Sequence, residues 1–184
     1  MKAPLFRVEP LVTTGNDAHD RATFRCGEEA LDRYFQTQAT QDIRRRVANC
    51  FVAVELTSGQ VAGFYTMSAA GIPFVDLPPE ETKRLPRYPT SPAVRIGRLA
   101  VDERFQGRGL GAALLTDAAH RAIQADAAAF TLLVDAKNDR AVAFMSVTDF
   151  GGFSASPGRC FSPWRLLRKP SLIKPVAEAN AVFK

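Results

Sequence analysis

The chain has 184 residues, 46% of them hydrophobic, and a formal net charge of +5. This length predicts one ordinary domain, and no run approaches the roughly 20 apolar residues that a membrane span requires. The amino terminus lacks the charged, apolar and small-residue order of a signal peptide, so we expect a cytoplasmic protein that makes no membrane contact. The basic charge favours an anionic partner such as a nucleotide cofactor or RNA. Three widely separated cysteines indicate neither a disulfide framework nor a metal site.

The first predicted element is an amphipathic helix between Phe24 and Ile43. The chain turns at Cys26-Gly27 and then places apolar residues at helical spacing, namely Ala30, Leu31, Tyr34, Phe35 and Ala39. Three arginines, Arg44 to Arg46, follow at the end of the helix, where cations suit the negative pole of the helix dipole.

A β-hairpin is predicted next. Asn49 to Leu56 and Gln60 to Ser68 have strand composition and flank a tight turn at Ser58-Gly59. The proline-rich segment, residues 72–92, then carries six prolines with acidic and basic residues between them. This composition predicts a surface loop around one short helix, too polar to belong to the core.

A strand, a glycine loop, a helix and a second strand follow in that order. The strands are predicted over Val94 to Val101 and Phe130 to Val134, and the helix runs from the loop at Gln106 to Gly111 as far as about Gln124. A strand-helix-strand crossover implies that the two strands are parallel. A further helix is predicted to begin over Asp139 to Phe144.

The glycine loop has the composition of an anion-binding site. Its glycines let the backbone turn sharply beside a ligand, and the first N–H groups of the helix are unsatisfied donors at the positive end of the dipole. Arg104 and Arg108 add donors suited to phosphate oxygens. The Lys-Ser/Thr ending of a P-loop and the spacing of a dinucleotide loop are both absent from the sequence. Taken alone, the loop is equally compatible with a plain strand-to-helix turn.

The whole phrase around the loop resembles the acetyl-CoA-binding signature of the GNAT N-acetyltransferases. It comprises Leu99 to Asp102, Arg104, Gln106 to Gly111 and Leu114-Leu115. The resemblance implies an α/β (α+β) fold with a mixed central sheet flanked by helices, and acetyl-CoA as cofactor. It also implies that Leu99 and Val101 pair with the pantetheine arm and that the loop holds the pyrophosphate. The implied cofactor residues are Leu99, Ala100, Val101, Arg104, Gln106, Gly107, Arg108, Gly109, Leu110, Gly111 and Asn138. For Asn138, a helix N-cap is the alternative interpretation.

A narrower likeness, from about Val8 to Phe144, is to the GNAT toxins of bacterial toxin-antitoxin modules. It rests on Phe24 to Gly27, Leu31-Asp32, Arg44 to Arg46, Gly63 to Ser68, Arg87 to Pro89, Gly97 to Asp102 and Val134 to Lys137. Such toxins acetylate the α-amino group of the amino acid on charged tRNA. The resemblance further implies a ribbon-helix-helix antitoxin as partner and a homodimer.

Basic side chains supply the candidates for contact with tRNA phosphates, since phosphate neutralisation provides most of the affinity for nucleic acid. These candidates are Arg44, Arg45, Arg46, Lys83, Arg84, Arg87 and Arg98. The alternative is that each is a solvated surface charge. Neither histidine is expected to act as a general base, because His19 and His120 are both predicted to lie on the surface.

The likeness ends at Phe144, so we expect a GNAT domain over residues 1–144 and a divergent segment over 145–184 that is poorly ordered beyond about Arg165. The toxins have a tyrosine at the next position, taken to protonate the leaving thiolate. This chain has Met145, which has no proton to donate. Our hypothesis is a one-base deletion near this codon, because one inserted T turns a permitted coding of Phe-Met-Ser-Val-Thr-Asp-Phe into Phe-Tyr-Glu-Arg-His-Gly-Phe.

Three functions therefore stay open at the level of the sequence. The first is a tRNA-directed acetyltransferase that is impaired by the loss of the tyrosine. The second is a GNAT enzyme that acetylates a small amine or a protein amino terminus. The third is a catalytically dead scaffold that only binds its antitoxin or a DNA-bound partner, and Met145 favours it for the chain as written.

Overall fold

A computed structural model describes residues 5–15, 18–83, 85–135 and 159–163, the last five and Asp135 by their backbone alone. The strands are β1 (Phe6–Pro10), β2 (Asn49–Glu55), β3 (Val61–Pro73), β4 (Thr90–Val101), β5 (Thr131–Asp135) and β6 (Arg159–Pro163). The helices are α1 (Glu29–Arg33), α2 (Ala39–Arg44), α3 (Pro79–Thr82) and α4 (Leu110–Gln124), with a π-helical turn at Tyr34–Gln38 and 3₁₀ turns at Phe74–Asp76 and Glu103–Phe105. None of the helices in these ranges is long and apolar enough to cross a membrane.

The strands form a mixed sheet in the order β1-β2-β3-β4-β5-β6. Strand β2 is antiparallel to both β1 and β3, β4 and β5 are parallel, and β6 is antiparallel to β5. This confirms the predicted mixed α/β architecture, the hairpin, and the parallel pair that the helical crossover requires. The chain divides into two compact units, and β3, β4 and α4 contribute residues to both.

The first unit includes the described residues up to Met67 together with Arg98–Ala118. Its core is aromatic: the rings of Phe35 and Phe64 stack at 4.2 Å, and the Phe24 ring packs edge-on against both. Helix α1, the π-helical turn and helix α2 follow one another directly along the chain, and all three contribute side chains to this core. The predicted amphipathic helix is therefore confirmed: Leu31, Tyr34, Phe35 and Ala39 pack in this core, and of the apolar positions that predicted the helix only Ala30 is exposed.

The second unit includes Ser68–Gly97 and the described residues from Ala119 onward. Its core cluster contains Ile72, Leu77, Ala93 and Leu133, all buried. The expectation that the proline-rich segment is too polar to be core is therefore wrong. Strand β3 continues through Ile72, and Leu77, which follows the 3₁₀ turn, is buried. The predicted short helix is confirmed as α3.

Two strands were not predicted. Strand β1 is short and lies before the first recognisable turn of the sequence, and β6 lies in the segment that shows no strand period. Pairing with β2 and with β5 fixes them, so tertiary contacts override weak local propensity. The predicted helix at Asp139 to Phe144 lies outside the described residues.

Candidate cofactor site and basic surface

The cofactor site is built at the end of β4. Ala100 is buried in the core of the first unit, while Leu99 and Val101 are half-buried, as the alternation of a strand requires. On the neighbouring strand, Gly63 allows close packing. A Cβ atom at Gly63 would lie 2.9 Å from both the carbonyl oxygen of Ala100 and Leu114 Cδ1. Because Gly63 has no side chain, the strand predicted to bind pantetheine and the helix α4 can pack closely against it.

The cofactor loop, Glu103 to Gly109, leads into the 15-residue helix α4. Gly107 and Gly109 have φ values of 73° and 76°, which only glycine adopts readily. Leu110, the first residue of α4, is buried and anchors the start of the helix. The first N–H groups of α4 have no partner within the helix and point back toward the loop. Among the described residues, no atom lies within 4 Å of a Cβ built at Gly107. Donors, positive φ and open space together fit a pyrophosphate group.

The side chains of the loop are engaged to different degrees. Arg104 donates to the Asp102 carboxylate from Nε at 2.7 Å and from Nη2 at 2.9 Å, and to Gln60 Oε1 from Nη1 at 2.8 Å. Gln106 Nε2 donates to the carbonyl oxygens of Cys26 and Val101. Arg108 is exposed, with its guanidinium carbon 5.7 Å from the Phe105 ring centre. Direct cofactor contact by these three side chains stays a prediction.

Asp102 organises the start of the loop. Burial acts to raise the pKa of its carboxyl group, but hydrogen bonds from the Arg104 guanidinium and from the backbone N–H groups of Arg25 and Arg104 lower it. The same carboxylate pairing raises the pKa of Arg104. An ionised Asp102 therefore caps the 3₁₀ turn and ties it to the segment that contains Arg25.

The sequence predicted a turn within that segment, Phe24 to Gly27, but not its contact with the cofactor loop. Its backbone accepts from Glu103 N–H at Arg25 O, and Cys26 N–H donates to Asp32 Oδ1 on α1. Gly27 has a φ of 90°, and a Cβ there would lie 3.2 Å from Glu103 Oε1. The sequence signal for this close approach was Gly27, because a glycine just before a helix marks a sharp turn.

Arg98 lies over an aromatic ring. Its guanidinium carbon is 3.6 Å from the ring centre of Tyr34, whose hydroxyl donates to Asp42 Oδ2 at 2.8 Å. Burial, and then the bond to Asp42, raise the pKa of Tyr34, so the ring stays neutral and attractive to a cation. These contacts connect Arg98 to α2, the helix that ends in the basic cluster.

The basic end of α2, Arg44 to Arg46, is exposed. The helix closes with a Schellman motif, in which Val47 N–H donates to Asp42 O and Arg46 N–H to Ile43 O. Arg46 occupies the position that usually holds glycine, with a φ of 57°. Keeping an arginine there costs backbone strain of about 1 kcal/mol. A requirement for the side chain would explain this residue choice.

The other predicted tRNA residues are distributed differently. Lys83 and Arg87 are exposed in the second unit, and Arg84 lies outside the described residues. Thus Arg98 and the basic end of α2 belong to the first unit, where Tyr34 contacts both Arg98 and Asp42 of α2, and Lys83 and Arg87 belong to the second.

No described side chain is arranged as a strong nucleophile or base. Burial raises the pKa of Cys26 and of Cys50 to about 12. His19, predicted on the surface, has a side chain only 8% exposed, which corrects that expectation. Its Nδ1 accepts from Val12 N–H, so Nε2 carries the proton that faces Glu9. His120 is exposed, as predicted. Asn138 and Met145 lie outside the described residues.

The strand, the positive-φ glycine loop and the start of α4 together form a site suited to the phosphates of a nucleotide cofactor. Residues 16–150 match the acetyltransferase (GNAT) family. The chain belongs to this family, and it is therefore an N-acetyltransferase whose cofactor is acetyl-CoA.

Two similar proteins narrow the comparison. The chain is 36% identical over 137 residues, 73% of its length and 80% of the relative's, to a tRNA-acetylating toxin of Mycobacterium tuberculosis (strain ATCC 25618 / H37Rv). It is 31% identical over 170 residues, 88% of its length and 92% of the relative's, to the probable toxin TacT of Sinorhizobium fredii (strain NBRC 101917 / NGR234).

Three solved structures share the fold. AtaT complexed with acetyl-methionyl-tRNAfMet superposes with a TM-score of 0.78 at 28% identity, covering 87% of this chain and 95% of AtaT. A tyrosine-to-phenylalanine mutant of the toxin AtaT, bound to the C-terminus of the antitoxin AtaR, gives 0.71 at 26% over 88% and 94%. AtaTR bound with AcCoA gives 0.71 at 26% over 90% and 96%.

Proposed function

We propose that this chain acetylates the α-amino group of aminoacyl-tRNA and so acts as the toxin of a toxin-antitoxin system. The observation that carries the proposal is the cofactor loop within a chain 36% identical to a tRNA-acetylating toxin. The exposed cations of the first unit support it, because RNA phosphates need donors beyond those that acetyl-CoA uses. Charged tRNA is used in translation, so this activity places the protein in the cytoplasm.

The proposal assigns roles to the described residues of the cofactor site. The backbone of Leu99 to Val101 would pair with the pantetheine arm of acetyl-CoA, and the N–H groups from Gly107 to Gly111 would hold the pyrophosphate of the cofactor. Bound acetyl-CoA supplies the acetyl thioester. The amine must reach this thioester unprotonated, and backbone N–H groups are the donors suited to a developing oxyanion. Among the described residues, catalysis would rest on positioning, since none of their side chains is arranged as a strong base and His19 is already bonded at both ring nitrogens.

The leaving thiolate is the step in which this chain departs from the toxins it resembles. At the position of their tyrosine stands Met145, and a thioether cannot protonate a thiolate. We therefore propose a binding-competent but impaired enzyme. The hypothesis of a one-base deletion near this codon stays a prediction, and it fails if no single-base insertion in the gene restores the tyrosine.

Acetyl transfer to charged tRNA tests the function directly. Purified chain is mixed with labelled acetyl-CoA and aminoacyl-tRNA, and N-acetyl-aminoacyl product is measured for the chain and for Met145→Tyr. We expect a low rate that rises at least 100-fold in the variant. Acetylation of free amines alone would support the second function. No transfer by either protein, with acetyl-CoA bound, would support the scaffold.

Arg46 offers a test of RNA contact in which loss of affinity cannot be attributed to loss of stability. Arg46→Gly removes a cation and also relieves the strained backbone, so stability is expected to stay equal or to rise by up to about 1 kcal/mol. Affinity for tRNA is nevertheless expected to fall several-fold, with a weaker dependence on salt. Unchanged tRNA affinity would show that the cation only solvates the helix end.

Two partners complete the proposal. We propose a ribbon-helix-helix antitoxin and a homodimer, as the resemblance to the toxins implies. The AtaT structure with an antitoxin C-terminus supports an antitoxin partner. A neighbouring gene for a small ribbon-helix-helix protein, and co-purification of its product with this chain, would test the first. Light scattering of the purified chain would test the second.

A further inference from the structure

The two arginines of the cofactor loop differ in what they already bind. Each of the three guanidinium nitrogens of Arg104 donates to a protein oxygen, two of them on Asp102 and one on Gln60. The exposed Arg108 makes no hydrogen bond or ion pair with the part of the chain that the structure describes. Only Arg108 can therefore turn toward a phosphate without giving up bonds within the protein.

Asp102 explains why Arg104 is held. The carboxylate is 1% exposed and accepts four hydrogen bonds, two from the Arg104 guanidinium and two from backbone N–H groups. A buried carboxylate without its cation would be costly, so turning Arg104 away from Asp102 is opposed by the whole group. Arg104 consequently fixes the start of the loop rather than its ligand.

The loop is also held from its other side. Glu103 N–H donates to Arg25 O at 2.8 Å, and Gln106 Nε2 donates to Cys26 O at 3.0 Å. The glycines that follow are thus presented from a frame tied to β4 and to the turn before α1. A loop prepared in this way loses less conformational freedom when it binds an anion.

We propose that Arg104 is a positioning residue that acts through Asp102, and that Arg108 supplies the side-chain contact to the pyrophosphate of acetyl-CoA. The proposal rests on the same cofactor site as the proposed function, but it concerns binding and not transfer. It predicts that substitutions of Arg104 and of Arg108 differ in how their effect on acetyl-CoA affinity depends on salt and on Asp102.

Calorimetric titration of the purified chain with acetyl-CoA and with S-acetyl-pantetheine, which lacks the pyrophosphate, tests the division. Arg108→Gln is expected to weaken acetyl-CoA binding about tenfold at low salt, with a smaller effect at high salt, and to leave acetyl-pantetheine unchanged. Arg104→Gln and Asp102→Asn are expected to weaken acetyl-CoA binding by similar factors that salt alters little.

A double-mutant comparison separates positioning from direct contact. Combining Arg104→Gln with Asp102→Asn is expected to weaken binding no further than either change alone, whereas Arg108→Gln with Asp102→Asn is expected to give the product of the two factors. If Arg104→Gln lowers the salt dependence as much as Arg108→Gln, Arg104 contacts phosphate and the proposal is overturned.

Two controls keep the result interpretable. Arg104→Lys keeps the charge but loses the fork, so it should behave like Arg104→Gln, and it serves if that variant fails to fold. A wild-type chain that binds acetyl-CoA but transfers nothing to charged tRNA would contradict the proposed function and leave this division of roles standing.

Discussion

The cofactor loop and the proline-rich segment both contain short helical turns, and different interactions hold them in place. Polar bonds, chiefly those that converge on Asp102, hold the loop together with one buried ring, Phe105. Apolar packing around Ile72 and Leu77 holds the segment, while Val75 and Tyr88 stay 91% and 66% exposed. The loop is thus fixed mainly by hydrogen bonds and leaves its glycines open to an anionic ligand. The segment is fixed by the apolar side chains that it contributes to a core.

The largest expected effect tests the apolar half of this comparison. Ile72→Ala removes a side chain that is 2% exposed, and we expect it to lower the free energy of unfolding by about 2–5 kcal/mol. Val75→Ala, in the same segment, is the matched control and should change it by less than about 0.5 kcal/mol. Urea denaturation of both variants measures the difference. Equal costs would mean that the segment is not core.

A smaller effect tests the packing of the cofactor strand. Gly63→Ala places a Cβ 2.9 Å from the carbonyl oxygen of Ala100, so backbone must move and we expect a loss of about 1–3 kcal/mol. Because that oxygen belongs to the cofactor strand, acetyl-CoA affinity should fall as well. Gly71→Ala is the control, since its Cβ would lie at an ordinary 3.5 Å from Thr90 Cβ. Unfolding midpoints and cofactor titration decide between tolerance and strain at Gly63.

Local sequence patterns were sufficient for much of the first unit. The helical spacing before Ala39 and the phrase from Leu99 to Gly111 predicted α1, α2, the cofactor loop and α4, because periodicity and glycine chemistry act over a few residues. The pairing that creates β1 and β6 depends on partners distant in the chain. The core role of Ile72 and Leu77 was missed because prolines mark turns without indicating which side chains point inward.

The site divides in the same way. The loop could be predicted because closely spaced glycines before a helix permit a sharp turn, and Gly107 and Gly109 do adopt the positive φ that such a turn uses. The bonds of Arg104 to Asp102 and the stacking of Arg98 on Tyr34 could not, since either arginine was equally compatible with a free phosphate-binding cation. Charge in a sequence identifies candidates, and only geometry shows which of them are already paired.

The smallest expected effect compares how the stability of the polar loop and of the apolar segment depends on pH. The folded pKa of Asp102 lies below its ordinary value near 3.8, so its bonds stabilise the fold fully above about pH 4. That contribution is lost as the pH falls through the folded pKa, where the carboxyl takes up a proton.

We therefore expect Asp102→Asn to cost about 1 kcal/mol between pH 5 and 7, because the amide keeps one acceptor oxygen and Arg104 is half-exposed. Below about pH 4 the difference from the wild type should shrink, as protonation removes the same charge from the native side chain. The cost of Ile72→Ala should stay constant over this range, since no charge is involved. Thermal unfolding of the three proteins from pH 3 to 7 measures both. A difference for Asp102→Asn that is equally independent of pH would mean that the carboxylate charge does not hold the loop.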